Sequence, residues 1–255
     1  MAEYDERTPD CETNTHYKVM LSGYKWALSM IPGASGKRIL DCACGRGYGS
    51  YYMASGAWRV DGIDISPEAI AYCRGRYKKD NLNFEVMDAV SLRFADKTFD
   101  AVVSQDTIEH VQDDRKFLAE ISRVLKDDGV FIIFTPHSRV HNKKPENVYH
   151  LREYSAESFQ ALAGSYFGSV QYFGRRLSPA LERLESGLKG LRSVDPLGLR
   201  RIIPVKVRHL IASLIARSKG LKTLEDVTAD DIEFVEGLGD SPTIVAVCRK
   251  AGAAA

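Results

Sequence analysis

The chain has 255 residues, 44% apolar and 27% charged, which is enough to bury one full core and argues against disorder. Its 35 Lys and Arg against 34 Asp and Glu leave a formal charge of +1, so it lacks a global attraction to DNA, and no interleaved aromatic and basic platform for RNA is visible. Five cysteines, Cys11, Cys42, Cys44, Cys73 and Cys248, an acidic start and the lack of any run of about 18 apolar residues predict a soluble chain in a reduced, cytoplasmic compartment, without a signal or transmembrane anchor.

Residues 1–36 read as N-terminal cap helices. Short β-branched runs follow, RILDCA (38–43), WRVDGIDI (58–65), NFEVMD (83–88), FDAVVS (99–104) and GVFIIFT (129–135), alternating with helical patterns. Ser66 and Pro67 mark the start of one crossover helix, and the pattern DDRKFLAEISRVLKDDG predicts another that stops at Gly129. Past residue 150 a helix capped by Ser155, with Glu157 near its start, leads to SVQYFGRR; after the insertion, PTIVAVCRK closes the sheet antiparallel. The expected fold is α/β: a Rossmann-like doubly wound sheet of seven strands in the order 3-2-1-4-5-7-6, its last strand antiparallel, with a helical insertion at 178–222 before that strand, all in a single domain.

The segment ILDCACGRGYGS puts Asp41 at the end of the first strand and Gly45, Gly47 and Gly49 in the turn into the next helix. Glycines let backbone approach a ligand closely, and helix N-terminal amides favour a carboxylate. A glycine-rich loop alone also fits a dinucleotide, and the acid separates the two readings. A carboxylate beside the loop repels a pyrophosphate but accepts hydrogen bonds from the ammonium of a methionine moiety. Asp64, seventeen residues beyond Gly47, ends the second strand where an acid can bind both ribose hydroxyls. Asp88 ends the third, placed to accept from an adenine amino group, with Val86, Met87 and Ala89 as apolar packing. Each acid taken singly also fits a cap or turn role; three at successive strand ends argue for a site.

These stretches, with FDAVVSQDTIEHV, ISRVLKDDGVFIIFTP and NVYHLREYSAESF, resemble the class I S-adenosylmethionine (SAM)-dependent methyltransferases, and within them bacterial O-methyltransferases of glycans and small molecules. The resemblance covers residues 14–176 and 242–250. It implies that Asp41, Gly45, Gly47, Asp64, Asp88 and Gln105 line the cofactor site with Tyr24 closing it, and Ala43, Cys44, Ile65 and Ala89 belong to the same set. Ala43 stands where the family usually has glycine.

Methylation of a hydroxyl needs a proton acceptor. In QDTIEHV a helical turn sets Asp106, Glu109 and His110 at i, i+3 and i+4 on one face. His110, with an ordinary imidazole pKa of about 6.5, suits a general base, oriented by Glu109 or Asp106. His137, after the fifth strand, is expected to face the same pocket. A metal reading stands beside it: related O-methyltransferases carry Glu-x-x-Glu-His here, and Asp106, Glu109 and His110 would hold a divalent ion, with His137 as a further candidate ligand. Tyr149, His150, Arg152 and Glu153 are candidates for acceptor contact. Basic residues in 187–222, among them Lys189, Arg192, Arg200, Arg201, Lys206 and Arg208, interleave with Leu and Ile; this segment reads either as a lid packed on the domain or on a second subunit of a homodimer, or as a peripheral contact with the anionic inner membrane or with a lipid-linked phosphorylated acceptor. A small-molecule or glycan acceptor is the expected partner. An NAD-dependent oxidoreductase and a non-catalytic module on the same fold are the competing classes.

Overall fold

The computed structural model describes residues 15–142, 145, 147–178, 228 and 231–250. The chain divides into two compact units. One joins Met20–Arg176 to Phe234–Ala255 and carries most of the sheet. The other joins Met1–Val19 to Leu177–Glu233; there the Asp231 carboxylate accepts from the Thr228 amide and hydroxyl, both at 2.9 Å. The expected basic insertion, from residue 179 onward, lies outside the described residues, as do residues 1–14.

The elements in chain order are α1 (Thr15–Ser29), β1 (Arg38–Cys42), α2 (Tyr48–Met53), β2 (Arg59–Asp64), α3 (Pro67–Arg76), β3 (Leu82–Val86), β4 (Phe99–Gln105), α4 (Asp114–Val124), β5 (Leu125–Pro136), α5 (Ala156–Ala163), β6 (Ser169–Leu177), β7 (Ile232–Glu236) and β8 (Thr243–Arg249). The sheet runs β3-β2-β1-β4-β5-β8-β6-β7. The five central strands are parallel, and β8 is antiparallel to both β5 and β6. The seven expected strands take the expected order. An eighth, β7, lies outside β6; its five residues, IEFVE, make a short strand with two glutamates, features that suit an edge.

The strands are buried on both faces because apolar residues run continuously along them. Leu40, Val102, Phe131, Ile133, Ile244 and Ala246 face one layer with Phe117, Leu118 and Ile121 of α4 and Phe159 of α5. Their neighbours Ile39, Ala101, Val103, Ile132, Phe134, Val245 and Val247 face the other, with Tyr24 and Ala27 of α1 and Met53 of α2. The period of two along each strand therefore feeds two cores.

Local signals set the helix ends. Ser66 accepts from the Ala69 amide at 3.1 Å with Pro67 at the first helical position, and Asp113 accepts from the Lys116 amide at 2.8 Å. Ser155 caps α5, and its capping-box partner is Ser158 rather than Glu157. Helix α4 ends at Val124, five residues before the expected Gly129. Leu125 is fully buried and pairs with Phe99, so tertiary packing draws it into β5, and the intervening residues form an irregularity in the ladder.

Ala43, just after β1, has φ 64, a left-handed conformation that penalises any residue with a Cβ. Ala43→Gly removes that strain at some cost in unfolded-chain entropy, for a net gain of about 0.5–1 kcal/mol. Urea melts check this; a loss of stability would contradict it.

Candidate functional site: a cofactor cradle and an acidic-imidazole turn at the strand ends

The loop between β1 and α2 turns back on itself through Ala43, Gly45 (φ 52) and Gly47 (φ 74). A Cβ on Gly47 would stand 2.7 Å from the Cys73 sulfur and 2.8 Å from the Phe84 ring, so only glycine fits against α3 and β3. The Cys44 amide donates to the Ile63 carbonyl at 2.7 Å and the Gly45 amide to Asp64 Oδ2 at 2.9 Å, which ties the loop to β2. Asp64 Oδ1 accepts from the Ser66 amide at 2.9 Å. Beside it, Ile65 projects 68% exposed from the end of β2. Asp88 is exposed after β3 and accepts from the Val90 amide at 3.0 Å, while Ala89 and Met87 are buried next to it.

Asp41 is fully buried at the end of β1. Ser50 of α2 donates to its Oδ2 at 2.5 Å, and Tyr24 of α1 donates to its Oδ1 at 3.1 Å. Loss of water pushes its carboxyl up to about 7; the two hydroxyls oppose that rise and nearby Asp64 adds to it. Burial and the adjacent Asp41 also push the Tyr24 phenol well above its ordinary value. Ser50 was not among the expected residues; its signal was a serine in the first turn of the helix that follows the glycine loop. Gln105, at the end of β4, donates through Nε2 to the Met20 carbonyl at 3.2 Å, and its buried Oε1 has no partner.

The donor set fits SAM. Backbone amides of the loop, an open apolar surface at Ile65, and acids at the ends of β1, β2 and β3 suit a nucleoside with a cationic amino-acid tail. Asp41, when ionised beside the loop, would repel a diphosphate. Asp64 and Asp88 would hold the nucleoside, the loop amides and Asp41 the amino-acid end.

The segment after β4 is a hydrogen-bonded turn, not a helical one. Asp106 takes φ 47, and the His110 amide returns to the Thr107 carbonyl at 2.9 Å. Glu109 is fully buried: Oε2 accepts from Thr135 Oγ1 at 3.0 Å and Oε1 has no partner. Burial, then the negative charge of Asp106, holds its carboxyl well above the usual range. His110 Nδ1 meets the Tyr149 carbonyl at 2.8 Å. A carbonyl only accepts, so Nδ1 carries a proton, and in the neutral ring the lone pair is on Nε2, 3.9 Å from Glu109 Oε1.

His150 joins this turn from forty residues along the chain. Its Nδ1 donates to Glu153 at 2.9 Å, its ring centroid is 5.0 Å from that of His110, and ligand atoms of Glu109, His110 and His150 lie within 4.8 Å of one another. Asp106 and His137 stand outside this set. His137 Nδ1 donates to the Ser241 carbonyl at 2.7 Å. Arg152 donates to the carbonyls of Val111 at 2.7 Å and Gln112 at 2.9 Å, and the Leu151 amide to that of Glu109 at 2.8 Å. Residues 149–152 thus fasten the Glu109–Gln112 turn; Tyr149 contributes its carbonyl to this and its ring is 40% exposed.

The methyltransferase domain family matches residues 40–133, from β1 to β5. A probable SAM-dependent methyltransferase of Mycolicibacterium smegmatis is 27% identical over 220 residues, 84% of this chain and 81% of that protein. One of Mycobacterium tuberculosis is 32% identical over 138 residues, 52% of this chain and 49% of its own, so the match spans about half of that relative. The solved structure of a SAM-dependent methyltransferase of Thermotoga maritima, described as a possible histamine N-methyltransferase, superposes with a TM-score of 0.60 at 17% identity, over 92% of this chain and 91% of that one, which is a likeness of fold.

The buried acid gives a pH test. Asp41 holds its proton more tightly when folded, at about 7 against 3.8, so the stability this contributes is complete below about pH 4 and lost as pH rises to about 7. Asp41→Asn should remove that loss and be the more stable protein at about pH 8. A cationic ligand tail favours the ionised form, so near neutral pH binding of S-adenosylhomocysteine (SAH) to the parent should release a proton that binding to the variant does not. Calorimetry in buffers of different ionisation enthalpy reads this, and equal proton release by both would refute it. Residues 40–133 thus match a methyltransferase domain, and the relatives and the shared fold are those of SAM-dependent methyltransferases.

Proposed function

We propose that the chain methylates a hydroxyl of a small molecule, a sugar or glycolipid precursor, with His110 as the proton acceptor. The observation that carries this is the imidazole itself, whose Nδ1 is committed to the Tyr149 carbonyl and whose Nε2 lone pair has a Glu109 carboxyl oxygen 3.9 Å away. SAM supplies an activated methyl group on a sulfonium sulfur. The chain's own tasks are to align the acceptor and to take its proton as the new bond forms. An amine could react through its lone pair and shed a proton afterwards; a hydroxyl at neutral pH gains from a base in place.

Glu109 supports that base electrostatically. Without a cation beside it, burial and Asp106 favour its neutral form. When Nε2 gains a proton, the imidazolium 3.9 Å away favours the carboxylate, so the protonation of one group is linked to that of the other. Tyr149, Leu151 and Arg152 position the turn and limit the entropy lost when the acceptor binds. In His110→Gln, kcat should fall about 100-fold or more with SAH affinity kept. Release of SAH over a panel of hydroxy acceptors measures this; a variant that turns over like its parent would remove His110 from the reaction.

A divalent-ion reading is favoured by one observation, the unpartnered Oε1 of Glu109 among the ligand atoms of His110 and His150. Those three residues, with Glu153 orienting His150, would hold the ion, which would lower the pKa of an acceptor hydroxyl. Dialysis against a chelator should then abolish turnover and added magnesium, manganese or zinc restore it. Turnover unchanged by chelation would leave the metal-free base.

A further inference from the structure

Buried side-chain atoms without a hydrogen-bond partner include Gln105 Oε1 and Glu109 Oε1, at and after the end of β4, and, on β6, Arg175 Nη1. The first two belong to the turn already described. Arg175 is different in kind, because a guanidinium stays charged and, although the residue is only half-buried, its Nη1 is closed off from solvent with no acceptor.

The contacts of Arg175 are sparse. Its Nη2 donates to the neutral hydroxyl of Thr243 at a long 3.3 Å, and its guanidinium carbon lies 5.8 Å from the centre of the Phe134 ring, near the outer limit of a cation–π contact of about 6 Å. No carboxylate among the described residues pairs with it. Other arginines are satisfied: Arg123 holds Glu120 and Asp96, and Arg74 makes two bonds to the Phe84 carbonyl.

The backbone beneath Arg175 is fixed. Ser241 donates to its carbonyl at 2.7 Å, and a Cβ on the preceding Gly174 would stand 2.6 Å from Ser241 Cβ and 2.9 Å from the Leu238 carbonyl. The same Ser241 accepts from His137 through its own carbonyl, which joins the ends of β5 and β6 in one turn. In register, Phe134 pairs with Gln105 on one side and Val245 on the other, so the charge stands over the strand next to β4. The result is a rigidly mounted, under-satisfied cation on the strand-end edge where open α/β sheets bind ligands.

We propose that Arg175 recognises an anionic group of the methyl acceptor, a carboxylate or a phosphate ester, with the Thr243 hydroxyl as a second donor. This rests on the methyltransferase reading and narrows its acceptor class to anionic hydroxy compounds. A planar fork of donors matches either oxyanion in two-point contact, and the two differ in charge and reach.

The test uses the full chain, Arg175→Gln and Arg175→Lys, titrated with inorganic phosphate and with acetate at constant ionic strength, and with SAH. The parent should bind at least one of the two anions, and the preferred one identifies the group. In Arg175→Gln that affinity should fall about tenfold or more, with SAH affinity unchanged and Arg175→Lys in between. With hydroxy acceptors that differ only in an anionic group, the charged ones should be the better substrates, and Arg175→Gln should raise their KM about tenfold with a smaller change in kcat. Neither anion binding the parent, or Arg175→Gln and Arg175→Lys both matching it, would overturn the proposal. SAH failing to bind the parent would instead overturn the methyltransferase reading beneath it.

Discussion

A carboxylate sealed from water at the end of the first strand is the constraint around which this site is arranged. Asp41 keeps two hydroxyl partners, one from the helix before its strand and one from the helix after it, so three elements meet on one acidic group. Those contacts need close backbone approach: a Cβ on Gly49 would stand 2.2 Å from the Tyr24 ring. Burial raises the energy of the ionised acid, and a cationic ligand tail would lower it. The strain of Ala43 in a left-handed conformation belongs to the same loop.

A second strained residue, Asp106, sits at the end of a neighbouring strand, and the buried Glu109 follows it. Burial there favours the neutral form of the Glu109 carboxyl. The 149–152 segment fastens the turn by backbone acceptors, with Arg152 also 3.6 Å from the Asp114 carboxylate, leaving the imidazole of His110 and that of His150 against the Glu109 carboxyl. The cofactor cradle and this turn lie on adjacent strands, β1 and β4, as the proposed meeting of methyl donor and acceptor requires.

Much of this was legible from residue pattern. Continuous apolar runs such as FIIF and IVAV predict strands covered on both faces, and Ser66 with Pro67 predicts the start of α3. The acids at the ends of β1, β2 and β3 could be read because strand ends are local features. What could not be read depends on contacts distant in sequence. His150 joins Glu109 across about forty residues, the end of α4 is set by Leu125 packing against Phe99, and β7 is an edge strand too short and charged to stand out. The turn holding His110 has the i, i+3, i+4 spacing of a helix but not its backbone, because Asp106 leaves the right-handed region.

Selection by the ring of acids would favour a nucleoside with a cationic amino-acid tail over one with a diphosphate bridge. Parallel calorimetric titrations of the same preparation with SAH and with NAD test it directly. Saturable binding of SAH with no heat from NAD is the predicted result; NAD binding in preference to SAH would contradict it.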